Sequence, residues 1–238
     1  MNGKLLVIFD IDGTLLFSNK EDSRIFGRAF EDCFGFRIGS INWHDYPHVV
    51  DTVILQAAFE TAGKTLPDQQ TIEDFKDYYV AKLEQGRKIN PGGFMEVRGS
   101  RTLVEHLLNQ AEFEVGIATG GFRKPAFVKL RHVGIPTEQL MMNFADDCYT
   151  REQIIQGVLD QAAPLQDQIS KIIYVGDALW DVRTTRNMNM PFIGIKPPDQ
   201  VQELLDAGAK HVISHYEDIE GFIDLCYQSE PPHPAGSF

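Results

Sequence analysis

The sequence has few cysteines, no long apolar run and no excess of positive charge. Its three cysteines, Cys33, Cys148 and Cys226, lie far apart and form no C-x-x-C pair. This sparse, odd count favours reduced thiols in a cytosolic protein, and we expect all three to be buried as small apolar residues. No apolar run approaches the roughly 20 residues that span a bilayer. The short apolar stretch near residue 1 is typical of a strand and not of a signal peptide. We therefore expect a cytoplasmic protein with no membrane partner.

Positive charge is also scarce, with 22 Lys and Arg against 34 Asp and Glu and a formal net charge of −12. A chain this acidic repels a phosphate backbone unless it carries a local basic stripe, and the sequence shows none. This excludes nucleic acid as an expected partner. A small phosphate ester remains possible.

The most informative stretch is residues 5–14. Residues 5–9 are continuously apolar, which is typical of a strand buried on both faces. Asp10 and Asp12 follow directly and would point the same way if the strand continued. Carboxylates at the carboxyl end of a parallel strand lie where open α/β sheets bind ligands. They could hold a hard cation, or one could attack phosphorus, although Asp-x-Asp-Gly is also ordinary turn chemistry.

Hydrophobic periodicity divides the chain into two kinds of structure. Helical spacing dominates residues 18–90, whereas strands alternate with helices from about residue 100 onward. The alternation predicts an α/β fold with a mainly parallel sheet. We therefore expect a core domain of residues 1–17 and 91–227, and an inserted all-helical cap of residues 18–90. Residues 228–238 contain three prolines and are expected to be disordered.

Two later strand ends carry polar residues that the same sheet edge should collect. Thr119 and Gly120 follow a predicted strand, and a hydroxyl with glycine N–H groups at a helix start can hold an anionic oxygen. Asp177 and Asp181 follow another strand at a spacing that puts both on one side of a helix. Acids at a helix start also simply favour the helix dipole.

A phosphate beside so many carboxylates requires a cation. Arg151 opens the helix before the strand that leads to Asp177, while Arg123 and Lys124 open the helix after Thr119. Each of the three could also be an ordinary solvated surface charge.

The ordered set formed by residues 10–14, 118–120 and Gly176-Asp177-x-x-x-Asp181 resembles the haloacid dehalogenase superfamily. It is most similar to the phosphatase branch with a helical cap, close to phosphoglycolate-phosphatase-like proteins. The resemblance implies a Rossmann-like parallel sheet and an aspartyl-phosphate mechanism. It makes Asp10 the nucleophile and Asp12 the general acid and base. The remaining roles that the resemblance implies are a Mg²⁺ cofactor on Asp10, the backbone carbonyl of Asp12 and Asp177, phosphate binding by Thr119 and Gly120, and support of the metal or the cation by Asp181.

The cation departs from the family pattern. The usual lysine, often within Gly-Lys-Pro, is absent, and Arg151 stands at the matching place about 25 residues before Gly176. Arginine can hold phosphate in a bidentate way, so we assign the role to Arg151, with Lys124 as the second choice.

The function that this predicts is a Mg²⁺-dependent phosphatase acting on a small phosphorylated metabolite. A sugar phosphomutase on the same scaffold and a catalytically idle binding module are the alternatives. Substrate choice is expected to depend on the cap, at Trp43, His44, Tyr46 and His48. The alternative is that Trp43 and Tyr46 pack the cap core and the two histidines are exposed. The sequence predicts neither the substrate nor the oligomeric state.

Overall fold

The computed structural model describes residues 3–39, 46 and 49–233. In this part of the chain, a six-stranded parallel sheet forms the centre of the molecule. Its strands are β1 (Lys4–Phe9), β4 (Phe113–Ala118), β5 (Met141–Asn143), β6 (Ile169–Gly176), β7 (Phe192–Ile195) and β8 (Val212–Ile213). They lie in the order β5-β4-β1-β6-β7-β8. The predicted α/β fold is thereby confirmed.

Helices cover both faces of the sheet. They are α4 (Ser100–Leu108), α5 (Arg123–His132), α6 (Arg151–Ala162), α7 (Leu179–Asn187), α8 (Val201–Asp206) and α9 (Ile219–Gln228). Alternate residues of β1 enter different cores: Leu6 and Ile8 join one cluster, whereas Val7 and Phe9 join the other. This two-sided burial explains why β1 is apolar without interruption.

The helical segment lies between two short strands, β2 (Leu16–Phe17) and β3 (Met95–Glu96), which pair antiparallel at its base. Its helices are α1 (Asn19–Phe34), α2 (Asp51–Thr61) and α3 (Gln69–Ile89), and the described residues between 18 and 90 include no strand. Phe26 makes edge contacts with Phe75 and Tyr79, so α1 and α3 share an aromatic core. The β2–β3 pairing was not predicted. The division into core and cap stays a prediction.

The helical segment is docked on the carboxyl end of the sheet. The backbone N–H of Asp51 donates to Gly120 O at 2.8 Å, and Phe122 N donates to Asp51 Oδ2 at 2.9 Å. Lys76 adds an ion pair with Asp146 at 2.7 Å. These bonds place α2 directly over the loop that follows β4.

Two expectations need correction. Residues 229–233 are held against the core, because Phe192 N donates to Glu230 O and His233 N to Gly208 O. The prediction of disorder is therefore wrong for residues 228–233, and residues 234–238 lie outside the described part. Cys33 is exposed while Cys148 and Cys226 are buried, since Cys33 lies beyond the buried stripe of α1, which ends at Phe30. Among the described residues, no helix combines the length and apolar character needed to cross a membrane.

Candidate active site

The adjacent strands β4, β1 and β6 bring three predicted site residues to one edge of the sheet. Phe9, the last residue of β1, pairs with Ile117 of β4 and Val175 of β6. Asp10, Thr119 and Asp177 follow these strands and are all buried. The convergence follows from the parallel register, which aligns the carboxyl ends of neighbouring strands.

Three carboxylates form a compact acidic group. Asp10, Asp177 and Asp181 each offer an oxygen within 4.8 Å of the others. Asp10 Oδ1 and Asp177 Oδ1 are buried and lack a hydrogen-bond partner among the described residues. Buried unpaired carboxylate oxygens are costly, and hard divalent cations take such ligands, so the residues present fit Mg²⁺.

Burial also perturbs the acidity of this group. Desolvation raises the pKa of Asp10 from 3.8 to about 6, against the opposing effect of the Arg151 guanidinium. Desolvation, followed by the charges of Asp181 and Asp10, raises the pKa of Asp177 well above its usual range. Neighbouring Gly13 has φ +81°, and a Cβ there would collide with the Asp177 carboxylate. The turn after β1 therefore requires glycine.

Arg151 pairs with two of the three carboxylates of the acidic group. Thr150 caps α6 by accepting a hydrogen bond from Gln153 N, which fixes Arg151 as the first residue of the helix. Arg151 Nη2 lies 3.0 Å from Asp10 Oδ2 and 2.6 Å from Asp181 Oδ1. Its side chain is only 5% exposed. The structure thus places Arg151 directly beside the predicted nucleophile.

The loop after β4 completes this side of the site. Thr119 Oγ1 accepts a hydrogen bond from Gly121 N at 3.3 Å. A Cβ at Gly120 would collide with Val49 O and would come within 2.6 Å of Arg151 Nη1. Glycine at this position lets the loop pass between Arg151 and Val49, which lies just before α2.

Asp12 is held by two partners. The hydroxyl of Ser18 donates to Asp12 Oδ1, and Lys129 Nζ lies 2.5 Å from Asp12 Oδ2. Lys129 also pairs with Asp22 Oδ2 at 3.3 Å. Sequence reasoning missed Lys129 and Asp22. A signal for Lys129 exists, because it lies three residues after buried Ala126, on a face of α5 where an apolar residue is expected.

Asp51 is a third residue that the sequence did not reveal. It opens α2 and lies close to Phe122, whose backbone N–H donates to its carboxylate. Burial, and then the charge of Asp22, raise its pKa from 3.8 to about 7.

These residues surround a small cavity of about 70 Å³ at the end of the sheet. Its lining includes Asp10, Asp12, Asp22, Asp51, Thr119, Gly120, Arg151 and Trp180.

Lys124, the second choice for the cation, does not belong to this lining. It pairs with Asp77 at 2.6 Å and with Glu73 at 3.1 Å, and its side chain is 43% exposed. The structure corrects that alternative, because Lys124 points to α3 and not to the cavity. Of the four predicted specificity residues, Trp43, His44 and His48 lie outside the described residues. Tyr46 is half-buried and packs against the apolar core.

Solved structures with the same fold cover almost the entire chain. A hydrolase from Pseudomonas syringae superposes with a TM-score of 0.64 at 19% identity, covering 93% of this chain and 98% of that one. A predicted phosphatase from Clostridium acetobutylicum gives 0.60 at 18% identity, covering 94% and 100%. A β-phosphoglucomutase from Clostridium difficile gives 0.64 at 15% identity, covering 96% and 98%. At these identities, the likeness shows the fold alone.

A search of curated proteins found no match. The sequence profile of the haloacid dehalogenase-like hydrolases matches residues 7–195, which include Asp10, Thr119, Arg151 and Asp177. The chain therefore belongs to the haloacid dehalogenase-like hydrolases.

Proposed function

We propose that the protein hydrolyses a small phosphomonoester through an aspartyl-phosphate on Asp10. The observation that carries the proposal is the placement of two carboxylates in different environments. Asp10 is buried beside Arg151, whereas Asp12 is held by Ser18 and Lys129 two residues later. A nucleophile next to a separate acid and base is what phosphoester hydrolysis in two steps requires.

In the first step, an Asp10 oxygen forms a bond to phosphorus while the bond from phosphorus to the alcohol oxygen breaks. Asp12 gives its proton to that alcohol oxygen. In the second step, Asp12 takes a proton from water as the water oxygen attacks phosphorus, which releases inorganic phosphate and restores Asp10. Arg151, the Thr119 hydroxyl and the N–H of Gly120 would hold the phosphoryl oxygens.

Asp10, the backbone carbonyl of Asp12 and Asp177 would hold Mg²⁺, and Asp181 lies close enough to support it. When bound, the ion would offset the negative charge that otherwise opposes contact between a carboxylate and a phosphate. Asp181 also orients Arg151 through the 2.6 Å ion pair, and its second oxygen accepts from Ala178 N.

A second candidate is a sugar phosphomutase, because the C. difficile β-phosphoglucomutase shares the fold over 96% of this chain. A mutase would transfer the phosphoryl group from Asp10 to a second sugar hydroxyl and not to water. An idle binding module is disfavoured by the presence of nucleophile, acid and metal ligands together. We also keep the prediction that the protein acts on a cytosolic metabolite.

The test is phosphate release from a panel of phosphomonoesters, with Mg²⁺ and with chelator. We expect Mg²⁺-dependent release that Asp10→Asn lowers by about 10³-fold or more. Asp167→Asn is the matched control, since Asp167 is exposed just before β6, at the opposite end of the strand from Asp177. Interconversion of sugar phosphates without net release would favour the mutase. Undiminished release by Asp10→Asn would refute the mechanism.

A further inference from the structure

Lys129 is a buried lysine on α5, and burying its charge costs free energy because the ammonium loses its contact with water. Its side chain is 2% exposed, and its ammonium contacts Asp12 Oδ2 at 2.5 Å and Asp22 Oδ2 at 3.3 Å. A buried ammonium is tolerated when carboxylates compensate it, and both compensating groups here lie at the cavity. The pairing therefore concerns the site and not only the core of the protein.

Each of the two aspartates that follow β1 has its own cation. Arg151 contacts Asp10 at 3.0 Å, while Lys129 contacts Asp12 at 2.5 Å. With the Ser18 hydroxyl on Oδ1 and Lys129 on Oδ2, both oxygens of Asp12 are held. A general acid must be oriented within hydrogen-bond reach of the oxygen that takes its proton. The contacts that fix the Asp12 carboxyl group should therefore affect the rate of the reaction.

Lys129 is in turn held by the helical segment. Asp22 lies on α1, and its Oδ1 accepts a 2.5 Å hydrogen bond from the Tyr79 hydroxyl on α3. Tyr79 is 1% exposed and packs against Phe26. A continuous chain of contacts thus runs from Asp12 through Lys129 and Asp22 to Tyr79.

We propose that Lys129 is a positioning residue for the acid and base Asp12, and that Asp22 and Tyr79 hold Lys129 in place. The proposal rests on the proposed hydrolysis. The Lys129 ammonium and the Ser18 hydroxyl hold the two Asp12 oxygens, and they thereby fix the orientation of this carboxyl group toward the leaving oxygen. Docking of the helical segment on the sheet would then also position the Asp12 carboxyl group.

The experiment compares p-nitrophenyl phosphate, whose leaving oxygen needs little protonation, with phenyl phosphate, which needs more. Lys129→Met is expected to lower kcat for phenyl phosphate by about 10²-fold, within the range of general acid catalysis, and kcat for p-nitrophenyl phosphate by less than tenfold. KM is expected to change by less than about threefold for both. Lys129→Arg, which keeps a cation, is expected to recover part of the loss.

Lys124→Met is the matched control, because Lys124 is on the same helix and pairs with Asp77 and Glu73 away from the cavity. Tyr79→Phe removes a single hydroxyl and keeps the proposal testable if Lys129→Met does not fold. It is expected to lower kcat in the same substrate-dependent way, but less. In the Lys129→Met variant, the additional change Asp22→Asn should lower kcat little further, since Asp22 and Lys129 act through one contact.

A loss that is equal for the two esters, or a Lys129→Met variant as active as Lys124→Met, would overturn the positioning role while leaving hydrolysis intact. If Lys129→Met does not fold, an unchanged kcat ratio in Tyr79→Phe would do the same. A wild-type protein that releases no phosphate from any ester would instead overturn the proposed function, and with it this inference.

Discussion

Replacing Arg151 by methionine removes the charge that compensates two buried carboxylates. The guanidinium lies 3.0 Å from Asp10 and 2.6 Å from Asp181, whose side chains are 6% and 0% exposed. Breaking a buried ion pair on one side typically costs about 3–5 kcal/mol, because a charge is left without a partner. We expect Arg151→Met to lower the free energy of unfolding by about that amount at pH 8 in chelator.

Urea unfolding, monitored by circular dichroism, measures the loss in the free energy of unfolding. The pH dependence of this loss gives a second check. The pKa of Asp10 is raised to about 6 in the folded protein, so Asp10 becomes neutral below that pH and needs no cationic partner. The loss should therefore be smaller at pH 5 than at pH 8. Arg24→Met is the control, since Arg24 pairs with Glu21 at the surface and such pairs contribute about 0–1 kcal/mol. A loss below 1 kcal/mol for Arg151→Met at pH 8, with an unchanged slope of unfolding free energy against urea concentration, would refute this reasoning.

Two further predictions concern Asp51 and Gly13. The pKa of Asp51 is raised to about 7 in the folded protein, so stability falls as pH rises from about 4 to 7, where the unfolded chain has already released this proton. Because Asp51 is open to the cavity, solvent weakens this effect. We expect Asp51→Asn to raise the free energy of unfolding, measured in urea, by roughly 2 kcal/mol at pH 8, which is half of what the same pKa shift would give for a fully buried group. At pH 4 we expect little change. Gly13→Ala should weaken Mg²⁺ binding in calorimetry by at least about tenfold, since the added Cβ displaces Asp177. Gly35→Ala, at φ +72° in open space, should leave binding unchanged.

The sheet was predictable because its signals are local. The uninterrupted apolar run of β1 indicates burial on both faces, and the two cores confirm this. The β2–β3 pair was not predictable, because two residues per strand carry no periodicity and the strands are almost 80 positions apart. The packing of residues 229–233 against β7 and the loop at Gly208 is likewise set by tertiary contacts that proline content does not reveal.

The part of the site that stands on strand ends was also predictable. Asp10, Thr119 and Asp177 follow three buried strands, and parallel pairing brings the ends of these strands together whatever the helices do. Asp22 and Asp51 belong to α1 and α2 and reach the cavity through the docking of those helices, for which a single sequence gives no measure. In the sequence, both are acids in the first turn of a helix, a position that the helix dipole alone favours.

Two different cations, Arg151 and Lys129, contact the two aspartates that follow β1. Arg151 takes the place beside Asp10 that the sequence assigned to it, and its planar guanidinium bridges Asp10 and Asp181 together. A bridging guanidinium beside these two acids leaves Asp12 to another cation, which Lys129 supplies from α5. This lysine lies on the buried face of α5, where Asp12 and the α1 residue Asp22 together compensate its charge.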